Sequence, residues 1–552
     1  MSSHAPSRLH RVWGPPGCGK TTYLAEQARK AAARFGGANL IVASLTRAAA
    51  AEVAGRDTGI PPRNVGTLHA HAYRALNRPE LAETKDGLAA WNKTVPVHLR
   101  ILSGERDPEW ASPEEVSGST DGEKMLAAVG VLRAQQAPRD RWPANLRAFA
   151  DRWDAWKLDG GITRLDFTDL IERAATIPHP LNPVIVFLDE AQDMSALEMA
   201  LALHWATAAD QTVIVGDPDQ CLFEWRGSSQ QAFLGPAAAS ERVLSQSYRV
   251  PRSVHAYAVG WVRGIRDRPD VAYEPRDHTG SVRRTQASYR DPRRILEAVA
   301  VQPAEETSMI LGSCAYMLDG VIRALREAGV PFHNPYRKTN GRWNPLAGVA
   351  RPLALLRPHR SVWQDDARWW TWDELRRWLD PMAGTGWLVR GTKQDVLNVC
   401  QETTLGVTRG GEQVPLDYIV SMLAKTPEGK AAGEALVDPD PVRLLAWWAA
   451  NLRPKERPKF DYALTIAERY GLAALRAEPR VIVGTIHSVK GGEADTVYVF
   501  PDLSHAAMPA WLHGGPLRHP TIRLFYVAFT RARQHLRLCQ PSSNLTVPFP
   551  AP

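Results

Sequence analysis

The chain has 552 residues, 44% of them apolar and 23% charged, an ordinary globular composition several times the size of one domain, so roughly three or four packed units are expected. Its five cysteines, Cys18, Cys221, Cys314, Cys400 and Cys539, are scattered and never form a C-x-x-C pair; they read as reduced thiols, which excludes a disulfide frame or structural zinc and points to the cytoplasm. The amino-terminal MSSHAPSRLHRVW lacks an apolar signal core, no stretch supplies the roughly 18 apolar residues of a membrane span, and the net charge of +8 fits a polyanion partner or solubility alone.

In chain order, the first strand-like run ends at Val12-Trp13 and opens into Gly14, Pro15, Pro16, Gly17, Cys18, Gly19, Lys20 and Thr21, then Thr22 and the helical run Tyr23 to Ala28. The pattern is G-x-x-x-x-G-K-[ST]. Its glycines let backbone N–H groups wrap a β-phosphate, and the following helix directs its positive end at it. Lys20 is placed to reach the β- and γ-phosphates and the Thr21 hydroxyl to ligate Mg²⁺. The loop alone leaves kinases, AAA-type machines, GTPases and helicases open, with a glycine-rich turn as the bland alternative.

Further short apolar runs stand at Leu40 to Ser44, Val184 to Leu188, Thr212 to Val215, Met309 to Leu311, Val481 to Val483 and Thr496 to Phe500. Most end in Gly, Asp, Ser or Thr and lead into a helical stretch, as in βαβ units of a parallel sheet that binds ligands at its strands' carboxyl ends. An α/β fold with two such sets is expected: residues 1–79 with 161–242, and residues 243–345 with 476–552. Between them, 80–160 and 346–475 read as inserted helical subdomains. The second holds Trp363, Trp369, Trp370, Trp372, Trp378 and Trp387, a cluster that could stack bases but is better read as a helical core.

The strand Val184 to Leu188 ends in Asp189-Glu190-Ala191-Gln192-Asp193. Asp189 can hold Mg²⁺ through water while Glu190 polarises an attacking water for in-line displacement; helix-capping charge is the alternative. The strand Thr212 to Val215 ends in Gly216-Asp217-Pro218-Asp219-Gln220, which places Gln220 to sense a γ-phosphate. Beyond it, Phe223, Trp225 and Arg226 suit base stacking and backbone contact.

Together, DEAQD and GDPDQ-x-L-F-E-W-R-G resemble the UvrD/Rep/PcrA helicases of superfamily 1, and further motifs follow in that family's order. Leu45 to Glu52 resembles its first DNA-contact motif, with Thr46, and Gly66 to His71 its second, with Thr67 and His69. Leu165 to Leu170 resembles its D-F-x-D-L element. Leu244 to Pro251 is similar to the Q-x-Y-R motif; the resemblance implies that Tyr248 stacks on the base and Arg249 reaches the γ-phosphate. Val483 to Glu493 resembles T-x-H-x-x-K-G-x-E, implying DNA contacts from Thr485 and His487 and a ribose contact from Glu493. Leu524 to Arg533 resembles V-A-x-T-R-A and makes Arg531 a second arginine finger.

The resemblance implies two RecA-like motor domains, each with an inserted helical subdomain. They would use ATP and Mg²⁺ to move along single-stranded DNA and unwind tailed duplex. Lys490 and Asp193 match the UvrD branch rather than the RecD-like one, which implies 3′ to 5′ polarity. Two features depart from the family: residues 1–13 hold no glutamine to recognise adenine, and Thr22 stands where an arginine is frequent. Hydrolysis of other nucleoside triphosphates is therefore expected, and the segment after Arg531 is too short for a fused nuclease. The competing readings are a translocase that strips proteins without unwinding, and an AAA-type ATPase acting on protein. The Arg- and Ala-rich, Lys-poor composition points to a bacterial or phage genome; protein partners are not specified.

Overall fold

The first sheet consists of Arg8–Trp13 (β1), Leu40–Ser44 (β2), Val65–Thr67 (β3), Ile185–Asp189 (β4), Gln211–Gly216 (β5) and Ser240–Val243 (β6), with short apolar runs forming its central strands β2, β4 and β5. The computed structural model describes residues 8–44, 53–102, 120–161, 163–337, 341–347, 370–404, 407–437, 441–475 and 477–552. Thr46, Trp363 and Trp369 lie outside them. The six strands run in the order β3-β2-β4-β5-β1-β6, and every pairing is parallel.

Alternation of side chains explains why both faces are covered. On β2 and β4, Leu40, Val42, Ile185 and Phe187 join one core with Leu24 and Ala28 of the helix Lys20–Phe35 (α1). Their neighbours Ile41, Ala43, Val186 and Leu188 face the other way. There they meet Leu68 and Ala72 of Leu68–Ala75 (α2) and Leu197 and Leu201 of Ala196–Ala206. A sheet apolar on both faces needs this double winding.

Between β3 and β4 lies a mainly helical segment with its own core. Trp91, Phe149, Trp153 and Trp156 pack together there, carried by Lys85–Thr94 (α3) and Ala144–Lys157 (α5), beside Asp121–Ala134 (α4). Polar contacts centred on Asp166, the N-cap of Phe167–Ala174 (α6), fasten this segment to the sheet. Asp166 accepts from Arg133 of α4, from Lys157 at 2.7 Å and from the Trp153 indole at 2.9 Å.

The chain divides into two compact units, residues 1–320 with 484–552, and residues 321–483. The larger unit holds the first sheet and four strands of a second: Ser281–Arg284 (β7), Ser308–Gly312 (β8), Ala494–Val499 (β9) and Ala532–Leu538 (β10). They run parallel in the order β7-β10-β9-β8. The fold is the expected α/β pair of RecA-like parallel sheets with helical insertions. In the smaller unit, among the described residues, six helices between Trp372 and Tyr470 accompany the buried rings of Trp370, Trp378, Trp387 and Trp448. Those tryptophans are a core, as the blander reading held. Among the described residues no helix is long and apolar enough to cross a membrane.

Two histidines under the first sheet make the larger unit pH-sensitive. His71 is buried with Nε2 3.3 Å from the Val42 carbonyl, and its ring lies 5.5 Å from that of His179. Burial, aided by Arg74 and His179, pushes His71 down to about 3, and burial with Arg74 pushes His179 down to about 4. Unfolded histidines protonate near pH 6.5, so the unfolded chain binds more protons below that value. Stability is then complete above about pH 6.5 and falls as the pH drops towards 4, by about 1.4 kcal/mol per pH unit for each ring. Chemical denaturation at pH 7 and pH 5 measures this; equal midpoints would show that the rings are not held neutral.

Candidate nucleotide and nucleic-acid site

The loop between β1 and α1 is shaped for close backbone approach. Gly17 and Gly19 have φ of +75° and +71°, and a Cβ on Gly17 would lie 2.6 Å from the Arg249 Cβ. Such positions admit glycine alone without strain. Gly14 donates to the Gly216 carbonyl at 3.1 Å, tying the loop to the end of β5. Lys20 is buried and donates to the Gly14 carbonyl at 2.8 Å. Between the prolines and Gly19, Cys18 is buried and its thiol is pushed up to about 12, so it does not serve as a nucleophile.

The carboxylates follow from strand ends. Asp189 closes β4 fully buried, and the Thr21 hydroxyl lies 3.3 Å from its Oδ2. That pairing brings together the two oxygen ligands expected for a divalent cation. Glu190 takes a left-handed backbone, φ 51° and ψ 40°, a strained conformation that costs of order 1–3 kcal/mol. Burial opposes its charge, yet Lys490 and Lys20 hold its carboxyl down at about 2, with Gln192 donating to Oε2 at 2.5 Å. At the end of β5, burial and Asp219 push Asp217 up to about 6, and Gln220 donates to it at 2.7 Å.

The second half of the chain meets this centre. Ser247 and Tyr273 both donate to the Pro16 carbonyl, at 2.9 and 3.0 Å, and Tyr248 N donates to Gly17 at 2.9 Å. The Tyr248 side chain is 72% exposed, and its ring stands beside Gly19, an open platform next to the loop. Arg249 donates to Glu493 Oε2 at 2.6 Å, so the carboxylate expected on a ribose is paired with the arginine expected on a phosphate. Arg531, 1% exposed, donates to Gln220 Oε1 at 3.2 Å, Gly492 O at 3.2 Å and Val527 O at 2.9 Å. Lys490 touches Asp193, donates to the Gln220 carbonyl at 2.8 Å and stands 3.4 Å from Glu190.

The nucleic-acid candidates divide by exposure. Trp225, Arg226 and the His69 side chain are half-buried, with His69 Nδ1 3.7 Å from Glu198. Thr67 uses its hydroxyl to cap α2, accepting from Ala70 N at 3.1 Å. Phe223 is 1% exposed and packs against Trp225 and His487. This corrects the expectation that it offers a face to a base. The segment Glu224–Arg226 is a 3₁₀ turn, so alternate residues do not share a side as they would on a strand. Thr485 and His487 are likewise buried, the Thr485 hydroxyl accepting from Ser488 N at 3.3 Å. As placed, their side chains support the turn rather than open to solvent.

Two family models match the chain: an AAA domain over residues 1–225, which spans the loop, the DEAQD strand end and Gln220, and a UvrD-like helicase C-terminal domain over residues 480–539, which spans Thr485 to Arg531. These two matches support reading the chain as similar to the UvrD-like helicases. Among its relatives are proteins named ATP-dependent DNA helicase UvrD2 from Mycobacterium bovis and from two strains of Mycobacterium tuberculosis. Each is 25% identical over 477 residues, covering 80% of this chain and 59% of the relative. The chain thus spans about three-fifths of their length. A solved arterivirus nonstructural protein 10 helicase aligns with 97% of this chain and 61% of its own at 12% identity, with a TM-score of 0.31.

Against the family pattern, the structure adds contacts that no local motif announced. Arg56 donates to the Thr22 hydroxyl at 2.7 Å, which brings a guanidinium to the first turn of α1, where Thr22 replaces the frequent arginine. Arg268 grips Asp219 at 2.6 Å, and Arg523 pairs with Glu224 at 2.9 Å. Each joins the first sheet's strand ends to the second half. Nothing in the spacing of Arg56, Arg268 or Arg523 distinguishes them from solvated surface arginines; only charge complementarity across the fold does.

Proposed function

We propose that the chain is a nucleoside-triphosphate-driven motor that moves 3′ to 5′ along single-stranded DNA and unwinds tailed duplex, hydrolysing ATP with Mg²⁺. One observation supports the reading: the candidate hydrolysis residues come from two halves, with Lys20, Thr21, Asp189, Glu190 and Gln220 on the first sheet, Arg531 hydrogen-bonded to Gln220, and Arg249 against Gly17 of the loop. A centre completed across two halves makes turnover depend on their closure, which is what converts hydrolysis into movement. In this reading the motor halves are 1–79 with 161–242 and 243–345 with 476–552, with 80–160 and 346–475 inserted.

The residues fit a magnesium nucleotide. The glycine cradle leaves no room for a side chain, and the Thr21–Asp189 pair supplies hard oxygen donors. Mg²⁺, when bound, supplies charge neutralisation on the β- and γ-phosphates. The chain's own groups do the rest: Lys20 and the loop N–H groups bind phosphate, Tyr248 supports the base, and Glu190 orients and deprotonates the attacking water. Arg249 and Arg531 offset the charge that develops on the transferred group. Trp225, Arg226 and His69, the half-buried candidates, contact the strand.

Hydrolysis and strand displacement measured together on 3′-tailed, 5′-tailed and blunt duplexes test the proposal. Strong stimulation by single strands and displacement from 3′ tails alone are expected. Hydrolysis indifferent to DNA would overturn it, and stimulation without displacement would leave a translocase.

A further inference from the structure

Lys490 and Asp193 are 297 positions apart, yet they form an ion pair. Both side chains are almost fully buried. An ammonium withdrawn from water costs several kcal/mol unless it is paired, and one carboxylate would suffice for that. Lys490 has more: the Gln220 carbonyl at 2.8 Å, Glu190 Oε2 at 3.4 Å and the face of Phe223 at 5.7 Å. Each contact leads somewhere. Gln220 holds Arg531 through its side chain. Glu190 is the residue placed to orient water. Phe223 packs against Trp225 and His487, and the 3₁₀ turn His487–Val489 ends at Lys490.

We infer that Lys490 is a positioning residue whose ammonium sets where the Glu190 carboxylate stands and ties that placement, through Phe223 and the His487 turn, to engagement of the nucleic-acid strand. The inference rests on the proposed motor function and goes beyond it, since it assigns to one buried cation the link between strand contact and water attack. Lys490 touches neither strand nor phosphate in this role. A displacement of the turn moves the ammonium, and Glu190 follows because its carboxylate is shared with it. A 1 Å error in such a placement can cost about a hundredfold in rate.

The experiment compares the wild-type chain with Lys490→Arg and with the double variant Asp193→Leu/Lys490→Met. In the latter, an apolar pair of similar volume replaces the ions and can keep or raise stability. Hydrolysis is read as the ratio of kcat with and without oligo-dT, alongside the half-saturating oligo-dT concentration and the melting temperature. Both variants are expected to fold and to bind oligo-dT as the wild type does while losing about tenfold to a hundredfold of the stimulation ratio. Wild-type stimulation in a folded variant of either kind would reduce Lys490 to a structural ion and overturn the inference. Absence of stimulation in the wild-type chain would instead overturn the motor function on which it rests.

Discussion

Arg531→Ala is expected to lower kcat for nucleotide hydrolysis by about 10³ to 10⁵, the contribution of an arginine finger, while nucleotide affinity changes far less. The geometry behind this is specific. Arg531 is buried against Gln220, and its guanidinium is fixed by the carbonyls of Gly492 and Val527. A planar group held at three points loses little freedom when charge develops beside it, which lysine cannot reproduce. Lys20 and the loop amides would still hold the phosphates. Steady-state hydrolysis at saturating single strand, paired with titration of a fluorescent nucleotide, separates the two effects. Equal losses in binding and turnover would place Arg531 in ground-state binding instead.

The second large effect falls on stability, far from the hydrolysis centre. Asp166 is buried and accepts from Arg133, Lys157, the Trp153 indole and Asp169 N. Asp166→Ala leaves the buried Lys157 ammonium with fewer counter-charges and the indole without its acceptor, at a cost of about 3–5 kcal/mol. Although burial opposes its charge, Arg133 and Lys157 hold the Asp166 carboxyl down at about 2. Because that folded value lies below the unfolded one, its contribution is fully present above about pH 4 and is lost as pH falls towards 2. Urea denaturation of wild type and variant at pH 7 and pH 3 measures both effects. A loss below about 1 kcal/mol would show that the contacts behave like a solvated surface cluster.

Much of the first sheet was legible because its signals are local. The run Leu40 to Ser44 is a strand with the expected ends, since five consecutive apolar or small residues can be satisfied only by burial on both faces. The phosphate loop was legible for the same reason: glycines at positive φ, a lysine and a threonine act within one turn. The strand Ala532–Leu538 was not legible. Arg533, Gln534 and His535 stand consecutively and Arg537 parts Leu536 from Leu538, so no apolar run announces a strand that nevertheless pairs on both sides in the sheet. Ser281–Arg284 and Ser240–Val243 escaped notice for the same cause; they are partly or wholly exposed edge strands with no apolar run to announce them.

The sequence by itself determined the resemblance to UvrD-like helicases, the glycine-rich loop, the acidic strand ends and the order of the motifs, because each depends on residues close together in the chain. Only the tertiary structure decided how those motifs meet. Lys490 and Asp193 stood in the sequence as two separate branch markers and are a single buried ion pair. Arg531 and Gln220 lie 311 positions apart and share a hydrogen bond. Phe223, which in sequence alternates with Trp225 like a second stacking ring, turns inward beneath Lys490. Pairing at such separations follows from which charges are buried together when two sheets close on one another, and burial is a property of the folded chain.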